Sequence, residues 1–351
     1  MAPRLFVLCA LVLLGCEPEL SAETFKLVPL PADIMTGPAR AGVQTKEGPV
    51  FAVPLTGGLL RLAADAGVWE ELSAPAMTRF LPDFKEGLTL AQGENTTGLF
   101  RASGDAFVAL EPAVPAPTAG FSTVLGRDAT GKLWASATPR FASEDAGVVL
   151  AHFDADWQYD EVPIPFMQGT VSLRPTMTSD ARFFFRPDRS GLWEIDLPNH
   201  ALVQRVTCEH ELFRGSTEMF MPCQEDTFIF AGLSGELFLL NANHELWRVP
   251  GRGTTPVLVV KGTLPKLEGR VIGAPLAYVD PKGRVWLGIR RGENVDADTS
   301  SLYVAEPAKR DTWLFLKGEL PRAIALFGDG DAPLISSTSQ NTGLLLFRVA
   351  E

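Results

Sequence analysis

The sequence predicts an all-β fold made of a repeated four-stranded unit. Three observations carry this. A phrase recurs along the chain: Asp280-Pro281-Lys282-Gly283-Arg284-Val285-Trp286, then Asp128-Ala129-Thr130-Gly131-Lys132-Leu133-Trp134, then a shortened Asp188-Arg189-Ser190-Gly191-Leu192-Trp193. A turn with Gly that feeds a short strand, repeated, marks a repeat architecture. No stretch keeps the i, i+3, i+4, i+7 period of an amphipathic helix, and apolar residues alternate instead. Finally, 32 Gly and 27 Pro are spread along the chain, which favours many short elements joined by turns.

The start of the chain reads as a leader. Arg4 precedes an apolar run, Leu5 to Leu14, that is too short for a bilayer span of roughly 20 residues. Leu13-Leu14-Gly15-Cys16 resembles the bacterial lipobox. That resemblance implies a signal peptide over 1–15, cleavage before Cys16 and lipid attachment to its thiol. Several acyl chains on one Cys hold a protein to a membrane stably. Glu17 stands where an Asp would favour inner-membrane retention, so the resemblance implies the outer membrane. Residues 16–23 are then the lipidated Cys and a short polar tether. With Cys9 in the leader and Cys16 lipidated, Cys208 and Cys223 remain. An oxidising periplasm permits them to pair. Two separate buried thiols is the other reading, and a separation in sequence does not decide between them.

Residues 24–351 read as one domain. Phe25-Lys26-Leu27-Val28-Pro29-Leu30 is a strand with no hairpin partner beside it. Seven hairpins follow, starting at 58, 98, 147, 191, 235, 301 and 343, spaced 40, 49, 44, 44, 66 and 42 residues apart. These are blade-sized periods, and two further strand-like runs precede each hairpin. The long interval holds a Pro- and Gly-rich loop over 251–269. The last unit has only three strands, Ala323–Phe327, Pro333–Ser337 and Leu344–Val349. The unpaired strand at Phe25 is therefore expected to supply its fourth. The expected fold is a seven-bladed β-propeller, four antiparallel strands per blade, closed by the N-terminal strand. Closure removes a sheet edge that would template aggregation. The seven Trp fall inside strands, as expected of side chains packed between blades rather than a sugar-stacking platform.

The phrase Asp-x-x-Gly-x-[Leu/Val]-Trp, set beside Gly-Leu-led hairpins, resembles the two-component-regulator type of bacterial propeller repeat over residues 24–351. The resemblance implies a ring fold and an extracytoplasmic setting, and no enzyme activity.

Chemistry is sparse in the chain. His200 and His244 follow Asn in turns, His152 lies in a strand, and Cys208-Glu209-His210-Glu211 lacks further ligands at metal spacing. Gly232-Leu233-Ser234-Gly235 is not a nucleophile elbow. Asp154-Ala155-Asp156 and Asp329-Gly330-Asp331 lack the closing Glu of a calcium loop. No catalytic residue, metal site or cofactor is expected. A formal net charge of −11 argues against nucleic acid as a partner. What remains is surface. The loops between second and third strands, and between blades, are expected on one face, the longest being 140–145, 208–217, 251–266 and 290–300. Arg290, Arg291, Glu293, Asp296 and Asp298 make one of them a charged protrusion and the candidate partner-binding loop. The expected function is a membrane-anchored interaction or scaffold module that binds an envelope protein. The alternative is an enzyme, or a binder of small ligands or glycans, using the central channel.

Overall fold

The structure is a computed structural model. It describes strand backbone between Phe25 and Val349, with side chains mainly over 81–85, 125–136, 175–186, 191–213, 227–262, 274–292 and 299–316. The leader, Cys16 and the tether lie outside the described residues, as do Cys223, Glu293, Asp296 and Asp298.

The described elements are strands and two single-turn 3-10 helices. Among them no helix is long and apolar enough to cross a membrane. The described strands fall into six sheets, five of four antiparallel strands and one of eight. Strand β1 (Phe25–Val28) comes first in the chain. The next sheet holds β2 (Ala39–Val43), β3 (Val50–Pro54), β4 (Leu59–Leu62) and β5 (Trp69–Leu72). An eight-stranded sheet consists of two meanders. One is β6 (Met77–Asp83), β7 (Leu88–Gly93), β8 (Leu99–Ser103) and β9 (Ala106–Leu110). The other is β10 (Phe121–Arg127), β11 (Leu133–Ala137), β12 (Gly147–Phe153) and β13 (Trp157–Pro163). A single parallel pair, Arg127 with Asp83, joins them. Then come β14 (Thr176–Met177), β15 (Phe183–Phe185), β16 (Leu192–Asp196) and β17 (Ala201–Val206). The following sheet is β18 (Phe228–Ala231), β19 (Leu237–Leu240), β20 (Leu246–Val249) and β21 (Val257–Val260). After it come β22 (Leu276–Val279), β23 (Val285–Arg291), β24 (Thr299–Ala305) and β25 (Leu314–Pro321). The last sheet is β26 (Ala323–Asp329), β27 (Ala332–Ser339) and β28 (Gly343–Val349), and β1 completes it by pairing with β28, Phe25 opposite Val349.

First strands of successive meanders lie beside one another. Strand β2 contacts β6, β6 contacts β10, β10 contacts β14 and β14 contacts β18. Farther on, β22 contacts β26, and β26 contacts β2.

Among the described side chains the core lies between sheets, so the strands of β14–β17 and β22–β25 are buried on both faces. Phe183 and Phe185 pack with Leu125, Trp134 and Leu150 of the preceding meander, while Phe184 packs with Leu237, Leu239 and Trp247 of the next. Leu287 and Ile289 face Leu240, Leu246 and Val260, while Trp286 faces Ala323, Ile335 and Val349. Strands apolar on both faces lose the polar half of the alternation, which is why Phe183-Phe184-Phe185 and Leu237-Phe238-Leu239-Leu240 read as unbroken apolar runs. Burying each such side chain contributes about 1.5–3 kcal/mol. The Trp residues lie in or beside strands, and Trp134, Trp247, Trp286 and Trp313 are buried in these clusters.

One part of the expected strand order is corrected. The hairpin of Gly235 to Val249 forms the second and third strands of its sheet, not the third and fourth. Its outer strand is Val257–Val260, inside the stretch expected to be loop, and Trp247 sits on the third strand. Third strands then start at 59, 99, 147, 192, 246, 299 and 343. The spacings become 40, 48, 45, 54, 53 and 44, and the long interval disappears.

Candidate interaction surface

The recurring phrase is a turn that closes on itself. At Asp128, Thr178, Gly232, Asn241 and Asp280 the first residue donates its N–H to the carbonyl of the fifth: Lys132, Arg182, Glu236, Glu245 and Arg284. The fourth residue has positive φ each time: Gly131 (101°), Ala181 (55°), Gly235 (89°), His244 (61°) and Gly283 (77°). A side chain added at Gly283 would meet nothing within 4 Å, so the backbone conformation alone favours Gly there. Asp in first place satisfies the turn from inside. Asp128 Oδ1 accepts from the N–H groups of Thr130 (2.8 Å), Gly131 (2.9 Å) and Lys132 (3.0 Å), and its Oδ2 accepts from Trp134 Nε1 at 2.7 Å. Asp280 does the same with Lys282 and Arg284 N–H, both at 2.9 Å, and with Trp286 Nε1 at 3.0 Å. Arg284 Nε adds a 2.6 Å ion pair to Asp280 Oδ2. The motif's spacing of six therefore hooks the second strand's Trp to the turn.

These turns also lock neighbouring meanders together. Arg127 Nε donates to Asp83 Oδ1 at 2.8 Å, and Ala129 N–H donates to the Ser179 carbonyl at 2.8 Å. Arg182, fully buried, donates Nε to Asp180 and Nη2 to the Gly235 carbonyl, with its guanidinium 5.3 Å from the centre of the Phe184 ring. One junction is built differently. Between the sheets of β18–β21 and β22–β25, Trp313 Nε1 donates to the His244 carbonyl at 2.7 Å and Lys261 N–H to the Asp311 carbonyl at 2.6 Å. There the turn before β20 meets the turn before β25. The Asp and Arg side chains named here are engaged within the domain, so these turns are structural.

The histidines of the described residues are structural as well. His152 packs against its cross-strand partner Trp134, the rings tilted by 44° with centroids 4.9 Å apart. His200 and His244 hold left-handed turn positions, and burial pushes the His244 imidazole below its usual pKa. His210 Nδ1 accepts the Leu212 N–H at 3.1 Å, capping the short 3-10 turn Glu211–Phe213. The Thr207 hydroxyl and the backbone N–H of Glu209 hold the Glu209 carboxyl below its usual pKa. Among the described residues no three His, Cys, Asp or Glu stand close enough to hold a metal. Cys208 is disulfide-bonded.

Arg290 and Arg291 are the last two residues of β23, opposite Ser300 and Thr299 of β24. They are half-buried, and they begin the connection whose acidic residues lie outside the described set. Strand alternation sends them apart. Arg291 shares the face of Leu287 and Ile289, toward the preceding sheet, and Arg290 shares the face of Trp286, toward β26–β28 and β1. Beside Arg290, Ser300 Oγ accepts the Ala323 N–H at 2.8 Å.

Two residues near this end were not singled out from sequence, Ser301 and Tyr303. Both are fully buried, opposite Ile289 and Leu287, on the Arg291 face. Neither hydroxyl has a partner within hydrogen-bond geometry. Burial raises the Tyr303 pKa, and nearby Ser301 and the Arg291 charge offset part of the rise. Ser301 thus lies near the Tyr303 hydroxyl without closing a well-formed hydrogen bond to it. The one sequence signal was a pair of hydroxyls at alternate positions of the strand Thr299–Ala305.

No protein-family model matches the sequence, and no curated protein matches it. Solved structures do match in fold. The β-propeller domain of Cps50 (Swd1) from Myceliophteria thermophila aligns with a TM-score of 0.54 at 10% identity, covering 93% of this chain and 100% of that one. YCF48 from Cyanidioschyzon merolae aligns at 0.52 and 12%, covering 92% and 98%. YCF48 bound to D1 peptide aligns at 0.50 and 14%, covering 95% and 97%. With its four-stranded antiparallel meanders and first strands set side by side, this chain has the β-propeller fold.

Proposed function

We propose that the chain is a lipid-anchored β-propeller of seven blades that binds a partner protein in a bacterial cell envelope, using the end of β23 and β24. The observation that carries the contact surface is the pair Arg290 and Arg291, held at the end of a rigid strand pair and leading into a charged connection. Arg is enriched at binding hot spots because its planar fork pairs with carboxylates while its stem covers apolar surface. The ring reading is supported by β1 pairing with β28 and by β26 lying against β2. The lipid anchor rests on Leu13-Leu14-Gly15-Cys16, and Glu17 in place of an Asp after Cys16 supports the outer membrane, with the domain facing the periplasm or the cell surface. Propeller folds host very different functions, so fold alone names no partner. YCF48 is bound to a peptide on this fold, which is compatible with peptide capture here.

The test is capture of partners from gently solubilised envelopes by the parent, by R290E and by R291E. The parent is expected to retain one stoichiometric protein. Each charge reversal is expected to weaken capture at least about 10-fold, about 1.4 kcal/mol. No partner for the parent, or full retention by both variants, overturns the reading.

The oxidising setting makes its own prediction. We assign Cys223 as the partner of Cys208, because Cys9 leaves with the leader and Cys16 carries lipid. Without reductant, neither thiol should alkylate in the folded or the denatured protein. C208S should lower unfolding free energy by about 3 kcal/mol, as expected for a loop of this length. Alkylation of both cysteines in unreduced protein would sink the assignment.

A further inference from the structure

We propose that the outer edge of β21 is a second docking surface, for an extended acidic segment of a protein that adds to the sheet as a further strand. This surface is separate from the end of β23 and β24. Strand β21 is the last of its sheet and pairs, among the described strands, with β20 alone: Val257 with Arg248, Leu258 with Trp247 and Val260 with Leu246. A terminal strand turns alternate N–H and C=O groups outward, and an added strand pairs with those. Pro256 has no N–H to offer, so the free ladder begins at Val257. The strand is Val257-Leu258-Val259-Val260, and Val257, 49% exposed, is one of two exposed large apolar side chains among the described residues. Cations stand at both ends of it. At the start, half-buried Arg248 is the cross-strand neighbour of Val257, and Arg252 is exposed in the turn where Gly251 N–H donates to Thr254 Oγ1 at 3.1 Å. At the finish, Lys261 is exposed and its N–H donates to the carbonyl of Asp311, next to exposed Arg310. Three strand steps of about 3.3 Å separate the two ends by about 10 Å. Among the described residues none of these four side chains has a carboxylate partner, and the buried Nε of Arg248 has no acceptor. The carboxylates around them are Glu236, which accepts Ser234 N–H at 2.9 Å, Glu245, which accepts Asn241 Nδ2 at 2.8 Å, Glu306, paired with Lys309 at 3.3 Å, and exposed Asp311. Unpaired cations gathered along one edge of a chain with net charge −11 make that edge complementary to an acidic partner. A second copy fits less well, because pairing two identical edges sets Arg and Lys against Arg and Lys.

The probe is a short fluorescent peptide with blocked ends, Glu near both ends and Val and Thr alternating between them. One control carries Lys in place of Glu. Another is N-methylated along its backbone, which keeps the charge and removes the strand donors. The full-length lipoprotein in detergent is titrated with each and read by fluorescence anisotropy. The acidic peptide is expected to bind saturably, less tightly as salt rises, and to slow amide exchange across residues 257–261. Both controls should bind at least about 10-fold more weakly, and so should the acidic peptide to R248E/R252E and to K261E/R310E. Melting temperatures within a few degrees of the parent check that these variants fold. R290E should bind the peptide as the parent does, so failure of the surface at β23 and β24 leaves this one standing. No saturable binding, or equal binding of the Glu and Lys peptides, overturns the docking surface. Binding that survives N-methylation overturns strand addition. Binding lost in R290E and kept in R248E/R252E overturns the location. A peptide-free dimer that V257K dissociates overturns the choice of occupant and identifies it as a second copy of the chain.

Discussion

Deleting residues 24–30 should lower the melting temperature by on the order of 10 °C and cost the domain its single cooperative transition. Strand β1 is the outer strand of the last sheet, yet it comes from the other end of the chain. Without it, the edge of β28, Gly343-Leu344-Leu345-Leu346-Phe347-Arg348-Val349, loses its partner along four register pairs. An apolar edge of that composition is a template for association. Phe25 also packs against the cluster of Leu302, Ile335 and Val349. Burial of a Phe contributes about 1.5–3 kcal/mol, and the lost ladder adds to it, so about 3–5 kcal/mol is expected in all. F25A alone should cost only the side-chain share. A synthetic peptide of residues 24–30 should restore part of the loss, since the site is a preformed strand edge. Calorimetry and light scattering read these outcomes. A deletion variant that melts with the parent and stays monomeric would show that β1 does not close the ring.

What could be read from the sequence was what seven consecutive residues can do alone. Asp128 to Trp134 and Asp280 to Trp286 form their turn, its left-handed Gly and the indole hook within one segment, so the repeat was visible. The same letter misled at Gly235. Gly191 opens the third strand of its sheet with φ of 93°, while Gly235 is the fourth residue of a turn with φ of 89°. Both precede an apolar run, and only the sheet order tells them apart. The outer strand Val257–Val260 was hidden because Pro256 and the glycines at 251 and 253 read as loop. The candidate site divides in the same way. Arg290 and Arg291 stood out as charge, but that they face opposite sides of a sheet follows from strand alternation and packing. Ser301 and Tyr303 join Arg291 through the pairing of Ile289 with Ser301, twelve residues apart, and no local pattern encodes that register. Arg182 was missed for a like reason: its acceptor carbonyl on Gly235 belongs to the next sheet.

Asp280 should be among the costliest single positions to truncate, and the chain carries an internal comparison for it. Asp280 is buried and serves four donors: two backbone N–H groups, Arg284 Nε and Trp286 Nε1. D280A strands an arginine whose side chain is only 22% exposed, together with a buried indole N–H. Removing one partner from such a pair costs about 3–5 kcal/mol, even where replacing the whole pair by apolar groups would cost little. The turn at Asn241 shows what an amide does in the same place. Asn241 Oδ1 still accepts from the Asn243 and Glu245 N–H groups, but Nδ2 donates to Glu245, and Trp247 Nε1 is left without a partner. D280N should therefore keep the turn and lose the indole and guanidinium bonds, costing about 1–3 kcal/mol. Adding R284M to D280A removes the stranded cation and should recover part of the loss, because the pair is coupled. Denaturant unfolding at constant slope measures all three. If D280A falls within about 0.5 kcal/mol of the parent, the level of a neutral surface change, then the carboxylate does not hold the turn. If D280A and D280N cost the same, the amide comparison fails and charge alone accounts for the position.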